Sequence, residues 1–297
     1  MNPALPDATG ANAAQPAPLD PLAPLRAQLA ARHAACAVRW VAQTGSTNAD
    51  LLAAARTGQL DSPTLLATAR QTAGRGRQGR AWQDDARSSV LCSLAWPFAP
   101  QRDITALSLA TGVWLAQALH ALGAAGVRLK WPNDLLLPVT RSPAESPASP
   151  AADGGMRGWG KLGGVLVEVA DTAQARWAVI GFGVNLRTPA GLPQATGLDA
   201  AGLHLSRGQA LAALLPALLD GLQAGPRALA AALAQWNALH AWAGQPVCVH
   251  DRGQTLFCGT ALGLAADGAL RVRTAHGERL VRSADVSLRL QAAHAAQ

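Results

Sequence analysis

Apolar residues recur along the chain in two periods, and the alternation between them sets its plan. Residues 21–36 and 49–56 repeat at helical spacing, 104–122 read as a long apolar helix, and 206–222 and 226–242 form two more. Between them lie short apolar runs of the kind that become buried strands, at 38–43, 64–70, 88–96, 127–131, 165–169 and 177–184, with a further run at 135–137. Many of these runs follow one another through short links. The pattern therefore predicts an α+β fold, a mixed, largely antiparallel sheet flanked by helices. From residue 244 to 290 it changes to short strands at 246–250, 254–262, 269–273 and 278–282, separated by turn signals such as Asp251-Arg252-Gly253 and Asp267-Gly268. A small β-barrel is expected there.

Two stretches carry no periodicity. Pro, Ala, Asn and Asp dominate residues 1–20, which read as a disordered lead-in, and Pro, Ser, Ala and Gly dominate 138–160, which read as a flexible insertion between two strands of a hairpin. The expected organisation is thus a lead-in at 1–20, a main domain at 21–242 and a small β domain at 243–297.

Composition adds less than pattern, with one exception. A chain of 297 residues that is 49% apolar has material for one large core or two smaller ones. The formal charge of +7 suggests nucleic acid, yet the arginines are scattered and concentrate only at 75–80. The exception is lysine: the chain has two, Lys130 and Lys161, against 23 arginines. Where Arg has replaced Lys almost everywhere, a remaining Lys is either a chance survivor or a candidate for a position that needs a compact ammonium rather than a planar fork. Cys36, Cys92, Cys248 and Cys258 form no C-x-x-C pair, so neither a zinc site nor a disulfide framework is expected, and a reducing compartment fits best. No basic leader opens the chain, and its best apolar run, 211–219, is short and contains Pro216. A cytoplasmic protein without a membrane partner is the expectation.

The densest chemistry lies at Gly74-Arg75-Gly76-Arg77-Gln78-Gly79-Arg80. Three glycines expose peptide N–H groups and three guanidiniums offer forks to phosphate or carboxylate oxygens, so the stretch is either an anion cradle or a solvated basic turn. It matches G-x-G-x-x-G, but a strand at 88–96 follows where a dinucleotide fold needs a helix, and no P-loop occurs. Upstream, Ser46-Thr47-Asn48 places three hydrogen-bonding side chains before a helix, where Ser46 or Thr47 could also serve as a cap.

Read in order, Ser46-Thr47-Asn48, Gln71 with the Gly/Arg loop, Lys130-Trp131-Pro132-Asn133-Asp134, the run from Lys161 to Glu168, and Gly181-Phe182-Gly183-Val184-Asn185 resemble the biotin–protein ligases. The resemblance spans roughly residues 40 to 290. It implies a class II synthetase-like catalytic domain binding biotin and ATP, an SH3-like C-terminal barrel, and a two-step reaction. Biotin and MgATP give biotinyl-5′-AMP, which then acylates a lysine of the biotin carboxyl carrier protein of acetyl-CoA carboxylase.

It also implies roles. Lys161, Arg75 and Arg77 would be catalytic; Ser46, Thr47, Asn48, Gln71, Arg75, Gly76, Arg77 and Lys161 would bind biotin; Arg80, Trp82, Lys130, Asn133 and Asn185 would bind the nucleotide; and Asp134 would help hold Mg²⁺. Many bacterial relatives carry an N-terminal DNA-binding domain, whereas only about 45 residues precede Ser46 here, so no DNA partner is expected. The protein is expected as a monomer or a homodimer. The competing enzymatic reading is a lipoate–protein ligase or octanoyl transferase, and a competing class is a nucleic-acid-binding regulator.

Overall fold

A computed structural model describes residues 21–33, 35–82, 88–139, 156, 158–251, 253–282 and 286–291. The lead-in at 1–20 and most of the insertion at 138–160 lie outside these residues. The described chain holds helices α1 (Ala23–Arg32), α2 (Thr47–Arg56), α3 (Leu107–Ala121), α4 (Arg207–Gln223) and α5 (Pro226–Leu239). Seven strands form the larger sheet: β1 (Ala37–Thr44), β2 (Thr64–Gln71), β3 (Ser89–Phe98), β4 (Arg128–Lys130), β5 (Asp134–Pro138), β6 (Trp159–Asp171) and β7 (Arg176–Asn185). Their order is β1-β2-β3-β7-β6-β5-β4. Only β1 and β2 run parallel, joined by α2 as a crossover, and every other pairing is antiparallel. The fold is therefore the expected mixed, largely antiparallel α+β arrangement.

Both faces of this sheet are covered, and β7 shows how the sequence divides them. Ala178, Ile180, Phe182 and Val184 point into a large core shared with α1, α3, α4 and α5. The alternate positions Trp177 and Val179 meet Leu51, Leu52 and Ala55 of α2 in a smaller cluster. Further along that second face the same strand carries Gly181, Gly183 and Asn185. Apolar side chains give way to glycine at the N-terminal end of α2, and a hollow opens over the sheet beyond it.

One irregularity decides the face of Lys161. Leu135 pairs with Gly163 but Leu136 pairs with Lys161, so Leu162 is an extra residue in β6, a β-bulge. Strand side chains alternate, so without the bulge Lys161 and Gly164, three residues apart, would face opposite ways. With it, Lys161 shares a face with Asp134 and Gly164 while Leu162 is fully buried in the core.

Five strands, β8 (Pro246–Asp251), β9 (Gln254–Leu264), β10 (Leu270–Thr274), β11 (Gly277–Val281) and β12 (Val286–Leu290), make a second antiparallel sheet in the order β11-β10-β9-β8-β12. The expected small β unit is present as an open order with β11 and β12 at its two ends; β12 was not among the strands expected from the pattern. It is tied to the first sheet at the β4 edge. The Trp131 indole donates to the Gly268 carbonyl at 3.2 Å, and the Leu264 N–H donates to Asn237 Oδ1 at 2.7 Å.

The cysteine reading needs correction here. Cys248 and Cys258 are joined in a disulfide. They sit directly opposite each other on β8 and β9, with Cα atoms 4.0 Å apart. Spacing along the chain could not show this, because register, which sequence does not print, brings the two thiols together.

Behind β4, His240 is 6% exposed, its ring lies 4.7 Å from that of Trp236, and neither ring nitrogen has a hydrogen-bond partner among the described residues. Burial pushes its pKa down to about 4. Its folded value lies below the ordinary one, so its contribution to stability is intact above about pH 6.5 and is lost as pH falls toward 4. The loss is on the order of 3 kcal/mol at pH 4. Chemical denaturation at pH 7 and pH 4 should show wild type losing about that much more than His240→Phe; equal losses would refute the assignment.

Candidate active site

The Gly/Arg loop closes on itself. Arg75 and Ala81 form an antiparallel bridge, the Gly76 N–H donates to the Arg80 carbonyl at 2.8 Å, and the Trp82 N–H donates to the Gly74 carbonyl at 2.9 Å. A 3₁₀ turn at Arg77–Gly79 makes the tip, where Gln78 and Gly79 both take positive φ, 59° and 68°. The Arg80 guanidinium donates to Gln78 Oε1 at 2.6 Å. The stretch is a short arginine-bearing hairpin whose backbone bonds hold its shape.

Below it, at the start of α2, lies a buried polar chain. Ser46 caps the helix, its Oγ accepting the Ala49 N–H at 3.4 Å. The Thr47 N–H donates to Gln71 Oε1 at 2.8 Å, Thr47 Oγ1 lies 2.6 Å from Ser93 Oγ, and Ser93 Oγ donates to Asn48 Oδ1 at 2.5 Å. Asn48 Nδ2 then donates to Glu168 Oε2 at 2.8 Å. Ser93 and Glu168 were not picked out from sequence. Ser93 could have been found as a hydroxyl inside an otherwise apolar strand.

At the other end, Asp134 stands between the two lysines, 2.6 Å from Lys161 Nζ through Oδ1 and 3.0 Å from Lys130 Nζ through Oδ2. Burial alone would raise its pKa, but the Lys161 and Lys130 ammoniums outweigh burial and hold the carboxyl well below its usual range. Lys161 also lies over the Trp82 ring at 5.5 Å and Lys130 over the Trp242 ring at 5.2 Å. Lys161 is the more open of the pair, with 37% of its side chain exposed against 16% for Lys130.

The two asparagines expected at the nucleotide are engaged within the protein. Asn133 Nδ2 donates to the Val165 carbonyl at 2.9 Å. Asn185 is buried; it accepts from Ser89 Oγ at 3.1 Å and donates to the carbonyls of Thr196 at 3.0 Å and Lys161 at 3.4 Å. Through those bonds it braces the backbone that carries Lys161.

Glycines make the floor. A Cβ on Gly183 would fall 2.6 Å from the Trp82 ring, and one on Gly181 would overlap Asn48 Oδ1. These residues therefore let Trp82 and Asn48 lie against the sheet. The result is a cavity of about 790 Å³, and every residue expected at the site, from Ser46 to Asn185, lines it. Also in its wall are Leu192, Gln194 and Ala195 from the loop after β7, and Ser287 and Arg289 from β12, which sequence reading did not assign. The charged lining is Arg75, Arg77, Arg80, Lys130, Lys161 and Arg289 against Asp134 alone among the described residues. Such a cavity receives a molecule with a neutral polar head at the Thr47 end and several negative charges at the lysine end.

A mixed sheet carrying a cationic cavity, with a small β unit closing one wall, defines the class of protein. The chain belongs to the biotin/lipoate A/B protein ligase family, which it matches over residues 40–185; residues 243–289 match the biotin protein ligase C-terminal domain. It is similar to the biotin–[acetyl-CoA-carboxylase] ligase of Mycobacterium tuberculosis, 39% identical over 49% of this chain and 48% of that protein. The bifunctional ligase/repressor BirA of Escherichia coli is 32% identical over 76% of this chain and 65% of its own length. The chain thus spans about half to two thirds of these curated relatives, although it covers 98% of the Paracoccus denitrificans biotin–[acetyl-CoA-carboxylase] ligase at 29% identity. In fold it resembles the biotin protein ligase of Aquifex aeolicus solved with biotin and ATP, with a TM-score of 0.66 and 21% identity over 86% of this chain and 99% of that one.

Gly181→Ala should push Asn48 out of the polar chain and leave buried partners unsatisfied. The expected cost is about 2 kcal/mol of stability, read by urea denaturation. An unchanged midpoint would mean that Asn48 does not depend on the missing Cβ.

Proposed function

We propose that the protein is an ATP-dependent biotin–protein ligase. What supports this most is the two-ended cavity: neutral donors and acceptors at Ser46, Thr47 and Gln71 suit the cyclic urea of biotin, and the cations at the far end suit its carboxylate beside the phosphates of ATP. The names of the Mycobacterium and Paracoccus relatives agree with it.

In the first step a biotin carboxylate oxygen attacks the α-phosphorus, the bond to the β-phosphate oxygen breaks, and pyrophosphate leaves with that electron pair. Lys161, the more exposed ammonium, stabilises the charge that gathers on the carboxylate and phosphate oxygens, and Arg75, Arg77 and Arg80 cover them. Asp134 keeps both lysines charged and in place. In the second step the amine of a carrier-protein lysine attacks the acyl carbon and AMP departs, which joins biotin to the carrier of acetyl-CoA carboxylase. The loop hairpin shields the anhydride from water until then.

Mg²⁺ would enter with the triphosphate and neutralise part of its charge. Both Asp134 oxygens already face ammonium groups, and among the described residues no three His, Cys, Asp or Glu side chains are grouped to hold a metal. The reading takes the cytoplasm as the site of the reaction, where ATP and the carrier protein would both be supplied. No DNA or membrane partner is part of this reading; among the described residues no helix is long and apolar enough to cross a membrane.

Purified protein given ATP should release pyrophosphate with biotin and not with lipoate; release with lipoate alone would replace this reading with the lipoate ligase one. Lys161→Arg should lower single-turnover adenylate formation about 100-fold, because the fork cannot take the ammonium's place between Asp134 and the ligand. An unchanged rate would remove Lys161 from the chemistry.

A further inference from the structure

Glu168 stands on β6 outside the cavity wall, where its Oε2 accepts from Asn48 Nδ2 at 2.8 Å. Thr47 and Ser93 carry one hydroxyl proton each, yet three oxygen–oxygen contacts surround them: Thr47 to Gln71 at 3.1 Å, Thr47 to Ser93 at 2.6 Å and Ser93 to Asn48 at 2.5 Å. Two protons cannot fill three bonds.

A carboxylate only accepts, so Glu168 obliges Asn48 to present its Nδ2 toward β6 and its Oδ1 toward Ser93. The Leu166 carbonyl, 3.4 Å from the same Nδ2, favours the same orientation. Facing Oδ1, Ser93 must donate to Asn48. The 2.6 Å contact is then a donation by Thr47, and Thr47 has no proton left for Gln71. Gln71 Oε1 is satisfied instead by the Thr47 N–H at 2.8 Å. Two groups are left with defined roles in the cavity wall: Thr47 Oγ1 as an acceptor, and the Gln71 amide nitrogen as a donor.

We infer that Glu168 is a positioning residue that, through Asn48 and Ser93, fixes Thr47 as the acceptor for a ring N–H of the ligand's cyclic urea. The inference rests on the biotin-ligase reading given above. Reversing the chain would occupy one Thr47 lone pair with the Ser93 proton and free the Thr47 proton to swing between Gln71 Oε1, 3.1 Å away, and that N–H, where it would set donor against donor. Glu168 therefore acts on recognition of the urea and not on the phosphate end, where Lys161 and Asp134 lie.

The test is steady-state pyrophosphate release with separate titrations of biotin and ATP, on wild type, Glu168→Ala, Glu168→Gln and Ser93→Ala, with thermal midpoints to identify folded variants. In Glu168→Ala the KM for biotin should rise tenfold or more, at about the cost of one mispaired polar group. The KM for ATP and kcat at saturating biotin should stay within about threefold. Glu168→Gln, whose Oε1 can still accept from Asn48, should recover the biotin KM to within about threefold of wild type. Ser93→Ala removes the relay by a smaller change and should reproduce the biotin-specific defect if Glu168→Ala does not fold. A biotin KM unchanged in the folded variants, equal rises for biotin and ATP, or Glu168→Gln as impaired as Glu168→Ala would each overturn the role. If wild type itself uses lipoate and not biotin, the functional reading fails; if wild type uses biotin and the variants titrate normally, only the role of Glu168 fails.

Discussion

Asp134 is the group on which the cavity depends. A carboxylate out of water is unfavourable by several kcal/mol, and here that cost is met by two ammoniums at 2.6 and 3.0 Å. Removing either lysine would leave a buried charge half compensated, and removing Asp134 would leave two cations side by side. The arrangement needs the hairpin of β4 and β5 to present Lys130 opposite Asp134, and it needs the bulge at Leu162 to turn Lys161 to the same face. The charged end of the site is therefore a property of strand register as much as of side chains.

The neutral end depends on space. Glycines at 181 and 183 leave out side-chain atoms that would collide with Asn48 and Trp82 and push them off the sheet. Asn48 then completes a buried chain of hydrogen bonds, and Trp82 lies beneath Lys161. The two ends are thus set by different physics on neighbouring strands, electrostatic balance on β4 to β6 and steric absence on β7. A molecule that spans the cavity reads both at once.

Much of this was legible in the chain. Period-two and period-3.6 patterns placed the helices and nearly all strands, because each element buries one face on a shared core, and every residue expected at the site lines one cavity. What escaped had a common cause, contacts made across the fold rather than along it. The bulge at Leu162 leaves no mark in the pattern of apolar residues. Ser93 and Glu168 look like isolated polar positions until Asn48 joins them. Asn185 lines the cavity, but the partners that fix its amide, Ser89, Thr196 and Lys161, lie on other strands and loops that spacing along the chain does not join. Cys248 and Cys258 became neighbours only once β8 and β9 were in register.

The scarcity of lysine now has a geometric reason. Lys130 and Lys161 each address a different oxygen of one carboxylate, and each also lies over an indole ring. A guanidinium prefers to take both oxygens of a carboxylate with its fork, so two arginines would compete for the same pair of atoms. A point charge on a thin stem can share Asp134 with a second one and still turn toward the cavity. In a chain that uses arginine almost everywhere else, the two positions that kept lysine are the two whose geometry a fork cannot meet.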